Sequence, residues 1–189
     1  MEQKPIEIHT PLREETVELL RSGDLVLLSG TIYTARDEAH RRLVELIRQN
    51  KPLPFEIKGQ VLYYAGPTPA PPGQVIGSVG PTSSYRMDMY TLPLLQKGLK
   101  GMIGKGKRSR AVLEGLKKYK AVYFSATGGA GALLSKRVRK AEVLAFEELG
   151  PEAIYRLEVE NFPVIVINDC LGGDLYQEAL NKLRTRSKV

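Results

Sequence analysis

Residues 77–88 constrain the backbone more than any other part of this sequence. An apolar run from residue 74 to residue 79 predicts a strand, and Gly80-Pro81 ends it. Glycine adopts backbone φ/ψ angles that other residues rarely adopt, and proline holds φ at about −65°. Three hydroxyl residues follow the break: Thr82, Ser83 and Ser84. Because such a break leaves free backbone N–H groups beside these hydroxyls, and because Arg86 can grip a carboxylate through two parallel hydrogen bonds, the stretch predicts a pocket for a small anion.

A plainer interpretation of the same residues stays open. Pro-Thr-Ser-Ser before an apolar run is typical of a helix N-terminus. One of the three hydroxyls would then cap the first turn, and Arg86 would lie in solvent. Pattern alone favours this capping interpretation over an anion pocket.

Hydrophobic periodicity predicts alternating strands and helices along the chain. Residues 37–49 are predicted as a helix with one face in the core, and residues 164–167 are continuously apolar, as in a strand covered on both faces. Further strands are predicted at 6–9, 25–31, 60–64, 101–104, 121–126, 142–146, 154–159 and 163–168, and further helices at 14–20, 87–96, 109–119, 132–137 and from 175. This order indicates an α/β fold, a single mixed-sheet domain with helices packed on the sheet.

Size and composition indicate one well-buried core. The 189 residues, 42% hydrophobic and 26% charged, are typical of a single globular domain, so we expect residues 1–189 to form one unit. The N-terminal residues lack the apolar segment of a signal peptide, and no apolar run is long enough for a membrane span. We therefore expect a cytoplasmic protein with no membrane partner.

The formal net charge of +7 raises the question of a nucleic-acid partner. Basic surfaces serve nucleic acids, anionic substrates and acidic partner chains equally well. No RNA-binding, zinc-finger or helix-turn-helix spacing accompanies the basic residues. We therefore predict no nucleic-acid partner.

Cysteine content excludes an iron–sulfur cluster held by this chain alone. Cys170 is the single cysteine, and the two histidines, His9 and His40, form no metal-ligand spacing with it. The chain cannot offer three thiolates to a cluster. Any iron–sulfur centre must come from another polypeptide.

Two glycine-rich segments have anion-binding interpretations of their own. The run from Gly101 to Arg108 nearly spells a phosphate-binding P-loop, but Arg108 stands where a Ser or Thr would hold magnesium, which argues against a nucleotide. The turn at residues 127–131 precedes a predicted helix, where free N–H groups favour anions. Tight backbone packing explains the same glycines equally well, and both interpretations stay open.

Several motifs together resemble one known family. They are Gly-Pro-Thr-Ser-Ser-Tyr-Arg-Met-Asp at 80–88, Gly-Thr-Ile-Tyr-Thr-Ala-Arg-Asp-Glu-Ala-His at 30–40, Tyr-Ala-Gly-Pro at 64–67, Gly-Lys-Gly at 104–106, Gly-Gly at 128–129 and Glu-Val-Glu-Asn-Phe-Pro at 158–163. In this order they resemble the iron–sulfur (class I) fumarate hydratase and tartrate dehydratase family, in its C-terminal domain or separate β subunit. The resemblance extends from about residue 23 to residue 176.

This resemblance implies a swivelling β/β/α fold and a hydro-lyase that acts on a small dicarboxylic acid. It implies that Arg36, Thr82, Arg86 and Lys105 bind substrate and that Thr82 transfers the proton, with His40 in a supporting part. A 4Fe-4S cluster is expected on a partner α subunit, in an α2β2 complex. Lys107 stands where the family usually has asparagine, so an ammonium group replaces the side-chain amide at this position.

The resemblance leaves two dicarboxylic acids as candidate substrates. Fumarate to malate is the first choice and tartrate to oxaloacetate the second. The side chains that bind the two carboxylates would be alike for both acids, so they do not distinguish between them. Two alternative functions stay open. One is a non-catalytic module that binds a small anion or a nucleotide, and the other is a structural or nucleic-acid-binding protein that uses its basic surface.

Overall fold

In the computed structural model, which describes residues 4–186, seven strands form one mixed sheet. They are β1 (Ile6–His9), β2 (Leu25–Thr34), β3 (Val61–Tyr63), β4 (Gly101–Gly104), β5 (Val122–Ser125), β6 (Val138–Ala145) and β7 (Ile154–Asn168). The same residues contain the helices α1 (Glu14–Leu19), α2 (Asp37–Arg48), α3 (Asp88–Gln96), α4 (Arg110–Tyr119), α5 (Gly131–Ser135) and α6 (Leu175–Arg186), and 3-10 helices at Ser84–Met87 and Glu147–Glu152.

The sheet closes on itself through its longest strand. Strands β1 to β5 are parallel neighbours in chain order, whereas β7 runs antiparallel to β5, β6 and β2. Because β7 pairs with both β5 and β2, the strands β2, β3, β4, β5 and β7 form a closed ring. Closure leaves these strands without an open edge, which protects them from pairing with other chains.

Side chains on the two faces of the strands enter two separate cores. In β3, Val61 and Tyr63 belong to the core between the strands, while Leu62 belongs to the core between the strands and α2, α3 and α4. In β5, Phe124 likewise belongs to the core between the strands and Tyr123 to the core beneath the helices. Burial on both faces is why these strands are continuously apolar. The layers are β/β/α, so the predicted α/β class with a mixed sheet is confirmed.

One predicted strand is wrong. Residues 74–79 form no strand; the segment is held instead by two hydrogen bonds with Thr68, one from its N–H to Ser78 O (3.0 Å) and one from Gly77 N–H to its carbonyl (3.2 Å). The neighbouring segment at 66–73 carries four prolines. Because proline cannot donate to a ladder, this neighbour prevents regular pairing.

Two predicted strands, 154–159 and 163–168, are halves of the single strand β7. Asn161 lies between them at φ 50°, and its N–H donates to Ser29 Oγ at 3.0 Å. The register with β2 shifts opposite this point, between Leu28 and Gly30. Asn161 therefore lies in an irregularity that resembles a β-bulge, and the strand continues on both sides of it.

The carboxyl ends of the parallel strands β2, β3, β4 and β5 meet at one edge of the sheet, which we call the carboxyl edge. The residues that leave these strands there are Ala35, Tyr64, Lys105 and Ala126. Ligand sites of α/β sheets are found at such edges. Among residues 4–186, no helix combines the length and apolar character that crossing a membrane requires.

Candidate functional site

The structure brings the four predicted site residues to the carboxyl edge. Arg36 precedes the first residue of α2, just after β2, and Lys105 follows β4 directly. Thr82 and Arg86 lie in the connection from β3 to α3. These positions are up to 69 residues apart in the chain and share one edge because their strands are parallel neighbours.

Backbone hydrogen bonds join Thr82 to Lys105. The Thr82 N–H donates to Tyr64 O at 2.7 Å, and its carbonyl accepts from Lys105 N–H at 3.2 Å. The Ser84 N–H then donates to Lys105 O at 2.9 Å. Residues 79–84, which we call the Thr82 loop, thus continue the pairing beyond the ends of β3 and β4. The half-buried Thr82 hydroxyl forms no hydrogen bond with any residue of the described range 4–186.

The capping interpretation of the hydroxyl cluster is wrong. Ser83 occupies the N-cap position of the 3-10 helix Ser84–Met87, but its side chain makes no capping hydrogen bond. The buried Ser84 Oγ bonds to Tyr123 Oη at 2.8 Å, not to a helix N-terminus. The Ser84 hydroxyl therefore bonds to a residue that is distant in sequence and not to a nearby backbone N–H.

Arg86 forms an ion pair rather than pointing freely into solvent. Its Nε lies 2.9 Å from Oδ1 of Asp37, the first residue of α2. The second oxygen, Oδ2, is buried without a hydrogen-bond partner in the described residues. Because Asp37 holds Arg86 at Nε, the two terminal nitrogens remain available for a bidentate ligand.

Arg36 is held at a different nitrogen. Its Nη2 lies 3.4 Å from Glu152 Oε1, while its Nε is buried and has no hydrogen-bond partner among residues 4–186. Glu152 also accepts the Glu38 N–H at 3.2 Å, which ties the 3-10 helix Glu147–Glu152 to the first turn of α2. Sequence reasoning missed Asp37 and Glu152 as site neighbours. The adjacency of Asp37 to Arg36 was a signal, whereas Glu152 offered none.

Lys105 extends beside the glycine-rich turn at 127–131. It is exposed, and a Cβ placed on Gly128 would lie 3.8 Å from its Cδ. Gly131 packs against the Thr82 loop: its carbonyl accepts Val79 N–H at 3.2 Å, and a Cβ on it would lie 2.9 Å from Gly80 N. Since α5 has five residues, tight packing explains this turn better than an anion site.

His40 belongs to the core and reaches the site through the backbone of Arg36 and the ring of Tyr64. It is fully buried, and its Nδ1–H donates to the Arg36 carbonyl at 2.8 Å, which leaves Nε2 without a partner in the described residues. Its ring meets Tyr64 edge-on, with the centroids 5.1 Å apart. Burial disfavours the charged form and lowers the pKa of His40 to about 4.

The depressed pKa of His40 predicts a loss of stability in mild acid. Burial and the nearby Arg108 lower this pKa, while Asp37 and the Arg36 carbonyl oppose the shift. The neutral ring's contribution is present above the unfolded pKa of 6.5 and is lost as pH falls towards 4. We expect the free energy of unfolding to fall by about 2 kcal/mol between pH 7 and pH 5 from this group.

Urea unfolding of the isolated chain at both pH values measures this loss. The His40→Asn variant keeps a donor for the Arg36 carbonyl and does not titrate, so its pH dependence should be smaller. His9→Asn replaces an exposed histidine and should behave as wild type. Equal pH dependence in all three proteins would contradict the prediction.

Arg108 rules out the P-loop interpretation. Its side chain is 0% exposed, with Nε 2.6 Å from Asp88 Oδ1 and Nη2 donating to Thr91 Oγ1 at 2.8 Å. Asp88 Oδ2 accepts the Ser109 N–H at 2.6 Å, at the start of α4. The position that would hold magnesium therefore faces the core. Neighbouring Lys107 is exposed.

The donor groups of the described chain do not fit an iron–sulfur cluster. Among residues 4–186, no three His, Cys, Asp or Glu side chains are placed to hold a metal ion. Cys170 is buried, with Sγ 3.8 Å from the Val17 carbonyl, and burial raises the pKa of its thiol. A protonated, isolated thiol is a poor cluster ligand.

Fold and site together define a β/β/α domain whose carboxyl edge presents cations and a free hydroxyl, an arrangement suited to small anions. A family model described as "Fumarase C-terminus" matches residues 1–179, and the chain belongs to this family.

Relatives of two lengths match the chain. It is 38% identical to a putative L(+)-tartrate dehydratase subunit beta of Methanocaldococcus jannaschii over 91% of each chain. It is 36% identical to the L(+)-tartrate dehydratase subunit beta of Escherichia coli, over 89% of this chain and 85% of that one. The anaerobic class I fumarate hydratase of E. coli is 39% identical over 94% of this chain, which spans 33% of that enzyme's length.

Proposed function

We propose that this chain is the β subunit of a hydro-lyase that reversibly adds water to, or removes it from, a small dicarboxylic acid. Fumarate to malate is the first assignment and tartrate to oxaloacetate the second. The observation that carries the proposal is the meeting of Arg36, Arg86 and Lys105 with the unbonded Thr82 hydroxyl at one sheet edge. The names of the relatives, fumarate hydratase and tartrate dehydratase subunit beta, support the same activity.

The three cations bind the two carboxylates of the substrate. Removing a proton next to a carboxylate builds negative charge, and fixed cations stabilise that charge as it develops. Each charge-assisted contact contributes about 1.5–3 kcal/mol. Arg86, steadied at Nε by Asp37, offers its terminal nitrogens to one carboxylate. Arg36 turns from Glu152 to the substrate, since a single, partly exposed ion pair at 3.4 Å is weak.

Thr82 transfers the proton in this proposal. Its hydroxyl is half-buried and has no competing partner in the described residues, and its backbone is held at both N–H and C=O. A free threonine hydroxyl is a poor base. A carboxylate from the partner chain, or the positive charge of the three cations, must therefore assist it.

Assembly with a second chain completes the enzyme. Residues 1–189 are one domain of the complex, and the 4Fe-4S cluster belongs to a partner α subunit, because the donor set of residues 4–186 does not fit it. The names of two relatives, each a tartrate dehydratase subunit beta, support a partner α subunit. We propose an α2β2 complex in the cytoplasm, with no nucleic-acid or membrane partner.

Reconstitution tests the proposed function. We expect the purified chain to be colourless, free of iron and inactive. Activity should arise only when it is mixed anaerobically with a cluster-bearing α subunit, and it is measured on both acids in each direction. The α subunit alone is the control. Dehydratase activity from the iron-free chain by itself would contradict the proposal. Tight binding of a dicarboxylate to the chain, with no activity in the complex, would favour the non-catalytic module.

A further inference from the structure

We propose that Tyr123 is a positioning residue that links the Thr82 loop to residues 105–109, which we call the Lys105 loop, and so sets the placement of Lys105 relative to Thr82. The inference rests on the proposed function, which gives those two residues their roles. Its basis is a chain of two hydrogen bonds, a buried one from Ser84 Oγ to Tyr123 Oη and a partly buried one from Tyr123 Oη to Gly106 O, which we call the hydroxyl bridge.

The direction of each hydrogen bond in the hydroxyl bridge follows from counting protons. Tyr123 Oη donates to the Gly106 carbonyl at 2.8 Å. A phenol has a single proton, so the 2.8 Å contact between Ser84 Oγ and Tyr123 Oη is donated by Ser84. Burial raises the pKa of Tyr123, so the phenol keeps the proton that it donates. The bridge thus starts two residues after Thr82 and ends one residue after Lys105.

Close packing leaves the hydroxyl bridge little freedom to move. A Cβ on Gly104 would overlap Ser84 Oγ and would lie 2.9 Å from the Tyr64 ring, so the serine rests directly on the backbone of β4. The Tyr123 ring comes from β5, and both tyrosines are fully buried. Any side chain at Gly104 would displace the serine from its bond.

A buried guanidinium fixes the Tyr123 ring from the other side. The Arg108 Cζ atom lies 5.0 Å from the centroid of Tyr123 and 5.3 Å from that of Tyr64. Arg108 is in turn paired with Asp88 at 2.6 Å. A desolvated cation over an aromatic face is attracted by the ring quadrupole, so the phenol has one preferred orientation.

Thr82 and Lys105 depend on this support because their own side chains are not anchored. Neither side chain has a hydrogen bond or ion pair within the described residues. A side chain that binds substrate must be free in this way. Their backbones are joined by the 3.2 Å bond from Lys105 N–H to Thr82 O. The hydroxyl bridge adds a side-chain link across the same two loops, which limits how far they slide or separate.

Tyr123→Phe removes the hydroxyl bridge and keeps the ring. In the reconstituted complex we expect kcat/KM to fall about tenfold, since misplacement by 1 Å costs up to about 100-fold. In a Lys105→Ala background the same change should cost less than about twofold, because residues that act through one another are not additive. Ser84→Ala breaks the bridge at its other end and should give the same pattern.

Tyr63→Phe is the matched control. Tyr63 is also a fully buried tyrosine whose hydroxyl donates to a backbone carbonyl, that of Val79 three residues before Thr82. Its removal leaves the link to Lys105 intact, so it controls for the loss of a buried hydroxyl. We expect a similar loss of stability and a change in kcat/KM below about twofold.

Hydrogen exchange in the isolated chain gives a readout that needs no activity. The amides of Ser84 and Lys105, which bond across the two loops, should exchange faster in Tyr123→Phe than in wild type or Tyr63→Phe. Unchanged exchange, unchanged kcat/KM, or an equal fold-loss with and without Lys105 would each overturn the proposal. An inactive wild-type complex would count against the proposed function, and the exchange rates would still decide whether Tyr123 positions Lys105.

Discussion

Replacement of Thr82 by Ala is expected to lower kcat of the reconstituted complex by about 10²–10⁴-fold, the range for a positioned acid–base group. Stability should change little, because the hydroxyl has no hydrogen bond in the described residues and caps no helix. A capping threonine would instead cost about 1 kcal/mol of stability and leave the rate intact. The measurement is kcat of Thr82→Ala in an intact, cluster-loaded complex, together with Tm and binding to the α subunit.

Two neighbouring variants sharpen this result. Thr82→Ser keeps the hydroxyl but loses the methyl group that restricts its rotamer, so part of the activity should remain. Ser83→Ala removes the adjacent half-buried hydroxyl, which has no proposed role, and should retain the wild-type rate. A kcat of Thr82→Ala close to wild type would assign the proton transfer to a residue of the partner chain.

Replacement of Arg86 has the second large expected effect. We expect Arg86→Ala to raise KM by about 10–100-fold, which corresponds to the loss of one charge-assisted contact. Arg86→Lys should be nearly as costly. An ammonium ion cannot bind Asp37 through one nitrogen and present two further, coplanar N–H groups to a carboxylate. Steady-state kinetics of the complex measure both variants.

The other cations provide the comparison. Arg36→Ala and Lys105→Ala should weaken substrate capture in the same direction while the fold stays intact. Arg41→Ala is the control, because Arg41 is an exposed residue of α2 whose partners, Glu38 and Glu45, lie on the same helix. If all three site variants matched Arg41→Ala in their kinetics, the site would be misplaced.

Much of the secondary structure was predictable because each element carries its own signal. The helix predicted at 37–49 is α2, and the strands at 25–31 and 60–64 are β2 and β3 with slightly different ends. The misassigned segment at 74–79 is apolar enough for a strand, but its pairing depended on a proline-rich neighbour. Local pattern reports which residues are buried and does not report which segment lies beside them.

The residue types of the candidate site could also be identified from the motifs, whereas the partners of those residues could not. Thr82, Arg86 and Lys105 stand in segments that break regular structure, which is visible in the chain. That Ser84 bonds to Tyr123 and that Arg36 meets Glu152 depends on contacts between residues 39 and 116 positions apart. Such contacts exist only once parallel pairing has brought the carboxyl ends of β2, β3, β4 and β5 to one edge and β7 has paired with β2. Side-chain periodicity carries no information about strand order, and for that reason the geometry of the site belongs to the folded sheet.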